Sequence, residues 1–260
     1  MAQVRYEIEN GVARLVLDQP EKMNAMSYEM WASLPGLAAR AEADAEVRLL
    51  VVEGQGSRAF CAGADISQFG AKRDGDSATR AYDDAYLRGC AAIANAAKPT
   101  IGVIRGVCFG GGVGLAMSCD IRLARADARF RVPAARLGLG YAHEGVAALV
   151  ARLGFGATAD LLLSARIVGA EEALRLGLVN LLWSEDAFER EAGDYVARVA
   201  ANAPLTLRAV KQSLIALRQP EATRDTAAVD AAVAACFGSA DYKEGQRAFK
   251  EKREPAFIGE

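Results

Sequence analysis

A single histidine, His143, occurs in 260 residues, and that scarcity removes whole classes of chemistry. A histidine-rich metal centre cannot be built, and no carboxylate cluster has metal-ligand spacing. The cysteines are odd in number and scattered, Cys61, Cys90, Cys108, Cys119 and Cys236, with no C-x-x-C among them. They read as reduced, mostly buried thiols. No run of 18 apolar residues is present to span a membrane, and the opening MAQVRYEIENGVARL lacks the apolar stretch of a signal peptide. The expected location is cytoplasmic, with no membrane partner. A net charge of −2 and a pI near 5.7 give no bias toward polyanions, so no nucleic-acid partner is expected. Internal repeats and low-complexity linkers are also missing. The length suits one large core, or a core with a helical appendage.

What the chain does have is glycine in one dense place. Thr100–Asp120, TIGVIRGVCFGGGVGLAMSCD, runs as a β-rich segment into Gly110–Gly112 and Gly114 and leaves as an apolar helix. Glycine lets a ligand approach the main chain, and the first N–H groups of a helix are unpaired donors with partial positive charge. A P-loop would need Lys followed by Ser or Thr after the last glycine, and none is there. A dinucleotide fingerprint read from Gly112 and Gly114 would put its third glycine at Met117, and it lies mid-chain rather than in an opening βαβ unit. A backbone hole for an oxyanion fits better, since it needs no side chain. A turn whose glycines serve packing alone is the competing reading.

Along the chain, strands and helices alternate. Val4–Glu9 and Val12–Asp18 flank Asn10-Gly11 and predict a hairpin. Ser27 caps a predicted helix to about Ala45, with Met30, Leu34, Leu37 and Ala41 on one face and Pro35 as a kink. Val47–Glu53 reads as a strand, Ser57–Phe69 as a loop, and about Ala78–Ala97 as a helix stopped by Lys98-Pro99. Asp120–Ala124 and Ala128–Val132 read as strands, with Asp120 anchoring the first. Gly145–Leu153 and Thr158–Ser164 read as helices, and Val179–Trp183 as a last strand. From Ala187 the pattern is helical, broken at Asn202–Pro204, Gln219-Pro220 and Gly238. An α/β body over residues 1–200 with a helical segment over 201–260 follows.

A second small-residue loop is Ala59–Gln68, AFCAGADISQ, where Cys61–Ala64 precede Asp65, a candidate cap for a helix from Ile66. Its amides can face a ligand as those of Gly110–Gly112 can. Together AFCAGADI and GVCFGGGVGLAMSCDIRLA, followed by FRVPAARLGLG, ALRLGLVN and AFKEKREPAF, resemble the enoyl-CoA hydratase/isomerase (crotonase) superfamily, in order over nearly the whole chain. The resemblance implies an α/β spiral of ββα units with a C-terminal helical trimerisation region, assembled as a homotrimer or dimer of trimers. It also implies an acyl-CoA thioester as substrate, with no cofactor beyond the coenzyme A that the substrate carries.

By that resemblance the oxyanion hole falls on the backbone N–H groups of Ala64 and Gly111. Two such donors stabilise a thioester enolate more than the neutral carbonyl. The coenzyme's adenine end is expected along Lys22, Met23, Asn24 and Ala25 and the loop Ala62, Gly63, Ala64, while Lys252 matches a lysine that contacts its phosphates. Hydratases of the family carry one glutamate two residues after the last glycine of the GGG run and another directly after the proline of F-x-x-P. Here those positions hold Gly114 and Ala134. Neither can orient water or exchange a proton.

An acid or base is therefore sought in LGLGYAHEG, the segment ending at Gly145. Glu144 is the first candidate, since a carboxylate in an apolar pocket has a raised pKa. The alternative is an exposed first-turn glutamate favoured by the helix dipole. His143 carries an imidazole that could share the proton transfer, and Tyr141 can bond substrate or pack on its acyl chain. The functional expectation is a lyase or isomerase of the hydratase/isomerase kind, working through an oxyanion-stabilised enolate. An acyl-CoA-binding pseudoenzyme and a decarboxylase or thioester hydrolase of the same superfamily remain as alternatives.

Overall fold

Asn10 and Gly11 take positive φ, 50° and 75°, which matches the right-handed twist of a hairpin. They join β1 (Gln3–Glu9) to β2 (Val12–Asp18) in antiparallel register, from Gln3 opposite Asp18 to Glu9 opposite Val12. The computed structural model describes residues 2–65, 67 and 76–260. The chain continues through α1 (Tyr28–Ala43), β3 (Leu49–Gly54), β4 (Ala59–Cys61), α2 (Asp76–Ala94), β5 (Thr100–Ile104) and β6 (Val107–Phe109). Next come α3 (Gly111–Ser118), β7 (Ile121–Arg125), β8 (Arg129–Arg131), α4 (Ala134–Leu137), α5 (His143–Ala159), β9 (Val168–Gly169), α6 (Ala170–Leu176) and β10 (Leu181–Trp183). Helices α7 (Glu185–Ala200), α8 (Pro204–Leu217), α9 (Thr226–Gly238) and α10 (Ala240–Glu251) close it.

Among the described residues the strands form two sheets. One has six strands in the order β1-β2-β3-β5-β7-β10, parallel after the hairpin, and the other four in the order β4-β6-β8-β9. Parallel strands covered on both faces read as continuous apolar runs. LLVVEG and TIGVI do so, the second buried at every residue. The core therefore lies against both faces of the larger sheet, with Phe188, Ala192 and Val196 of α7 on one side and Trp31, Leu34 and Met30 of α1 on the other.

Ser27 caps α1 as its sequence predicts, its Oγ accepting from the Met30 N–H at 3.2 Å. The helix absorbs Pro35 and buries Met30, Trp31, Leu34, Ala38 and Ala41 at spacings of three and four. Several expectations shift. The predicted loop 57–69 contains β4, three buried residues that are too short to show a period. The helix cap proposed at Asp65 survives in part: Asp65 Oδ1 accepts from the Ser67 N–H at 3.0 Å, while Ile66 and residues 68–75 lie outside the described residues. The helix predicted over Thr158–Ser164 is a π-type continuation of α5 over Asp160–Ser164. By length and composition, His143–Ser164 is long and apolar enough to cross a membrane, unlike any plain run of apolar letters. Gly154, at φ 76° and ψ 170°, breaks its helical geometry.

One buried ion pair ties the C-terminal helices to the sheet. Lys211 of α8 is 2% exposed and its Nζ lies 2.6 Å from both carboxylate oxygens of Asp120. Asp120 also accepts from the Thr100 N–H at 2.9 Å and its hydroxyl at 3.0 Å, and so anchors β5 and β7 at once. Burial presses the Lys211 ammonium below its ordinary range, with Asp120 opposing that. Removing one partner leaves the other charge buried and alone. Lys211→Met is expected to cost about 3–5 kcal/mol in urea unfolding, and adding Asp120→Asn to it should recover part of the loss.

Candidate active site

Two short parallel strands, β4 and β6, set two backbone turns side by side, with Ala59 opposite Val107 and Cys61 opposite Cys108. The approach is as tight as main chain allows. A Cβ at Gly112 would lie 2.5 Å from the Cys61 carbonyl oxygen, and one at Gly63 3.1 Å from that of Phe109. Gly63 at φ 101° and Gly110 at φ 52° occupy conformations that L side chains rarely adopt. Met26 N–H donates to the Gly63 carbonyl at 2.7 Å and Asp65 N–H to the Met26 carbonyl at 2.9 Å. That pairing turns the intervening Ala64 N–H the other way, and among the described residues it has no protein acceptor. Gly111 opens α3, so its N–H has no helical acceptor either.

Both turns line one cavity of about 460 Å³. Its remaining walls are largely apolar, from Trp31, Val132, Pro133, Ala134, Leu137 and Leu139, with Asp83, Tyr86, Leu87 and Tyr141 as the other notable contributors. Trp31 is held from behind: its indole N–H donates to the Tyr82 hydroxyl at 3.0 Å, which donates to the Met26 carbonyl at 2.8 Å. Tyr86 stands edge-on to Trp31 with ring centroids 5.0 Å apart. The side chains of Tyr86 and Tyr141 share the cavity wall. Burial pushes both phenols up from their ordinary range. It also drives the Cys61 and Cys90 thiols to about 12, which makes neither a nucleophile.

Of the residues singled out in the sequence, the structure gathers Ala62, Gly63, Ala64, Gly111, Ala134 and Tyr141 around this cavity. Glu144 does not line it. That side chain is exposed and borders a second cleft of about 750 Å³, which shares Tyr86, Tyr141 and Gly145 with the first. Glu144 lies in the first turn of α5, and the Tyr141 ring packs on the neighbouring Gly145. His143, also exposed, borders neither.

The expected adenine seat is mixed. Asn24 is 1% exposed and its amide donates to the Gln55 and Ala59 carbonyls at 3.0 and 2.8 Å, so it holds the main chain rather than a ligand. Ala25 is buried and Met23 exposed. Lys22 Nζ donates to Asp65 Oδ2 and Ser67 Oγ, each at 2.7 Å. Burial raises the Asp65 carboxyl, and bonds from Lys22, Ser67 and Gln19 bring it below its usual value. Lys252 ends α10 in the left-handed region, exposed. Among the described residues no group of three or more histidine, cysteine or acidic side chains could hold a metal.

Asp83 and Tyr86 escaped the sequence reading. Their signal is the helical period of α2, which places Tyr82, Asp83, Tyr86, Leu87 and Cys90 on one face. Nothing in the letters says which face meets the glycine turns.

The sequence model of the enoyl-CoA hydratase/isomerase family matches residues 7–260. The chain belongs to that family. It is similar to (E)-benzylidenesuccinyl-CoA hydratase of Thauera aromatica, 31% identical over 98% of this chain and 99% of that one. It is also similar to crotonyl-CoA hydratase of Syntrophomonas wolfei, 32% identical over 97% and 96%. The crystal structure of an enoyl-CoA hydratase/carnithine racemase from Magnetospirillum magneticum superposes with a TM-score of 0.92, 32% identity, and 100% and 97% coverage. The architecture is thus the crotonase fold.

Membership sharpens the meaning of Gly114. A Cβ built there would sit 1.9 Å from the Tyr86 hydroxyl oxygen and 3.0 Å from its Cζ. The tyrosine occupies the space into which a side chain at position 114 would grow. Gly114→Glu alone should therefore overpack the site and cost about 1–3 kcal/mol in urea unfolding. Gly114→Glu combined with Tyr86→Ala should recover much of that cost.

Proposed function

We propose that this member of the enoyl-CoA hydratase/isomerase family is an enzyme that acts on an acyl-CoA thioester through an enolate held by the Ala64 and Gly111 N–H groups. The observation that carries the reading is the pair of unpartnered donors on one wall of the 460 Å³ cavity. Binding alone would not require donors aimed at an oxygen that gains charge; turnover does. The chain's own part is then to orient the thioester carbonyl, keep water from it with Trp31, Val132 and Leu137, and favour the charged state over the neutral one. Coenzyme A enters as part of the substrate. Its seat on this reading is the surface near Lys22, Met23 and the Ala62–Ala64 loop, with Lys252 toward its phosphates.

Standard hydration by two glutamates does not fit Gly114 and Ala134. A double-bond shift, decarboxylation or thioester cleavage asks less of paired carboxylates, and a binding pseudoenzyme is the non-catalytic alternative. Gly111→Pro separates them. Proline is tolerated at the first helical position but has no N–H, so turnover of a panel of enoyl-, dienoyl- and malonyl-type CoA thioesters, followed by product mass, should fall by roughly 10²–10³ with the fold intact. Parent-level turnover in this variant would remove the hole from the mechanism.

We also propose self-association through the C-terminal helices. Phe249 is 86% exposed, Leu217 63%, Phe237 62% and Val210 54%, and a groove of about 670 Å³ runs among α8, α9 and α10. So much apolar surface marks an interface. Sedimentation at micromolar concentration should give trimer or hexamer mass, and a stable monomer would refute the assembly.

A further inference from the structure

We propose that Tyr86, backed by Tyr141, is the group that passes a proton to and from Cα of the bound thioester, standing where Gly114 leaves the family's glutamate position empty. This rests on the enolate reading above. Three independent observations support it. The Tyr86 hydroxyl fills the side-chain space of position 114. Both tyrosines wall the cavity that contains Ala64 and Gly111. The same two tyrosines also wall the neighbouring cleft, so they stand between the reacting chamber and a region that the exposed Glu144 borders.

The step balances without a co-reactant. In the forward direction the enolate's carbon–carbon π pair takes the Tyr86 hydroxyl proton, forming Cα–H and restoring the thioester carbonyl. The O–H electron pair stays on Tyr86 as phenolate, which regains a proton from the Tyr141 hydroxyl, and Tyr141 from water. A phenol is far more acidic than the Cα–H it creates, so this transfer is downhill. The donor is uncharged before transfer and so adds no like-charge repulsion to the enolate. In reverse, the same path removes a Cα proton, and that reverse path can be read without knowing the net reaction.

The competing group is Asp83, one turn earlier on the same helix face and on the same cavity wall. The experiment is deuterium uptake at Cα of acetyl-, butyryl- and phenylacetyl-CoA in D2O, followed by mass spectrometry, with thioester affinity measured by calorimetry. The parent protein should exchange. Tyr86→Phe, which keeps the ring against Trp31, should lower exchange by roughly 10²–10⁴, the range of a positioned proton-transfer group, with affinity held within about threefold. Tyr141→Phe should lower it less, because water can replace a relay more readily than a donor. Exchange at the parent rate in Tyr86→Phe would overturn the assignment, as would loss in Asp83→Asn with retention in Tyr86→Phe. Thioester binding without any exchange in the parent would remove the proton-transfer role alone, whereas no thioester binding at all would take the reading of the oxyanion cavity with it.

Discussion

At Gly112 there is no room for a methyl group, because the Cys61 carbonyl and side chain already fill the place where it would stand. The candidate site depends on that contact. It locks the turn after β4 against the start of α3, so the Ala64 and Gly111 N–H groups share a wall without a side chain having to hold them there. Preorganised donors of this kind cost no reorganisation when charge develops. The cost is taken earlier, in the chain entropy lost when Gly63 and Gly110 are fixed at positive φ and in close packing that only glycine permits.

The surroundings keep that arrangement rigid by ordinary means. Asn24 fastens the turn before α1 to the Gln55 and Ala59 carbonyls, and the Met26–Gly63 bond joins the same turn to the loop that carries Ala64. Trp31 is fixed through Tyr82. On the far side, Lys211 and Asp120 clamp α8 to β5 and to the start of β7. A mutation at Asn24, Lys211 or Asp120 would reach the cavity wall through the backbone, without lining the cavity itself.

Much of this was legible in the letters because it is backbone chemistry. GGG ahead of an apolar helix and AFCAGAD after a strand announce turns that let something close to the main chain, and the Asn10-Gly11 hairpin and Ser27 cap follow from local rules alone. What stayed hidden is relational. Glu144 carries the right chemistry and lies near the right motif, yet in the first turn of α5 it borders the next cleft. Asp83 and Tyr86 lie on a helix whose period is visible but whose facing partner is not, since no local rule places α2 against α3. The short strand β4 was invisible for a different reason: three residues carry no period.

The exchange of carboxylates for tyrosine changes the electrostatics of the whole chamber. Glutamates at positions 114 and 134 would each bring a charge that must be desolvated beside apolar walls. Glycine and alanine with an inserted tyrosine bring hydroxyls, buried and held in their protonated form. On the proposed reading an enolate here meets the two backbone donors across largely apolar walls, with Asp83 the acidic side chain on the lining. The arrangement has no carboxylate at positions 114 and 134 to activate a water molecule. On the proposed reading it still leaves the developing charge where the Ala64 and Gly111 N–H groups stabilise it most.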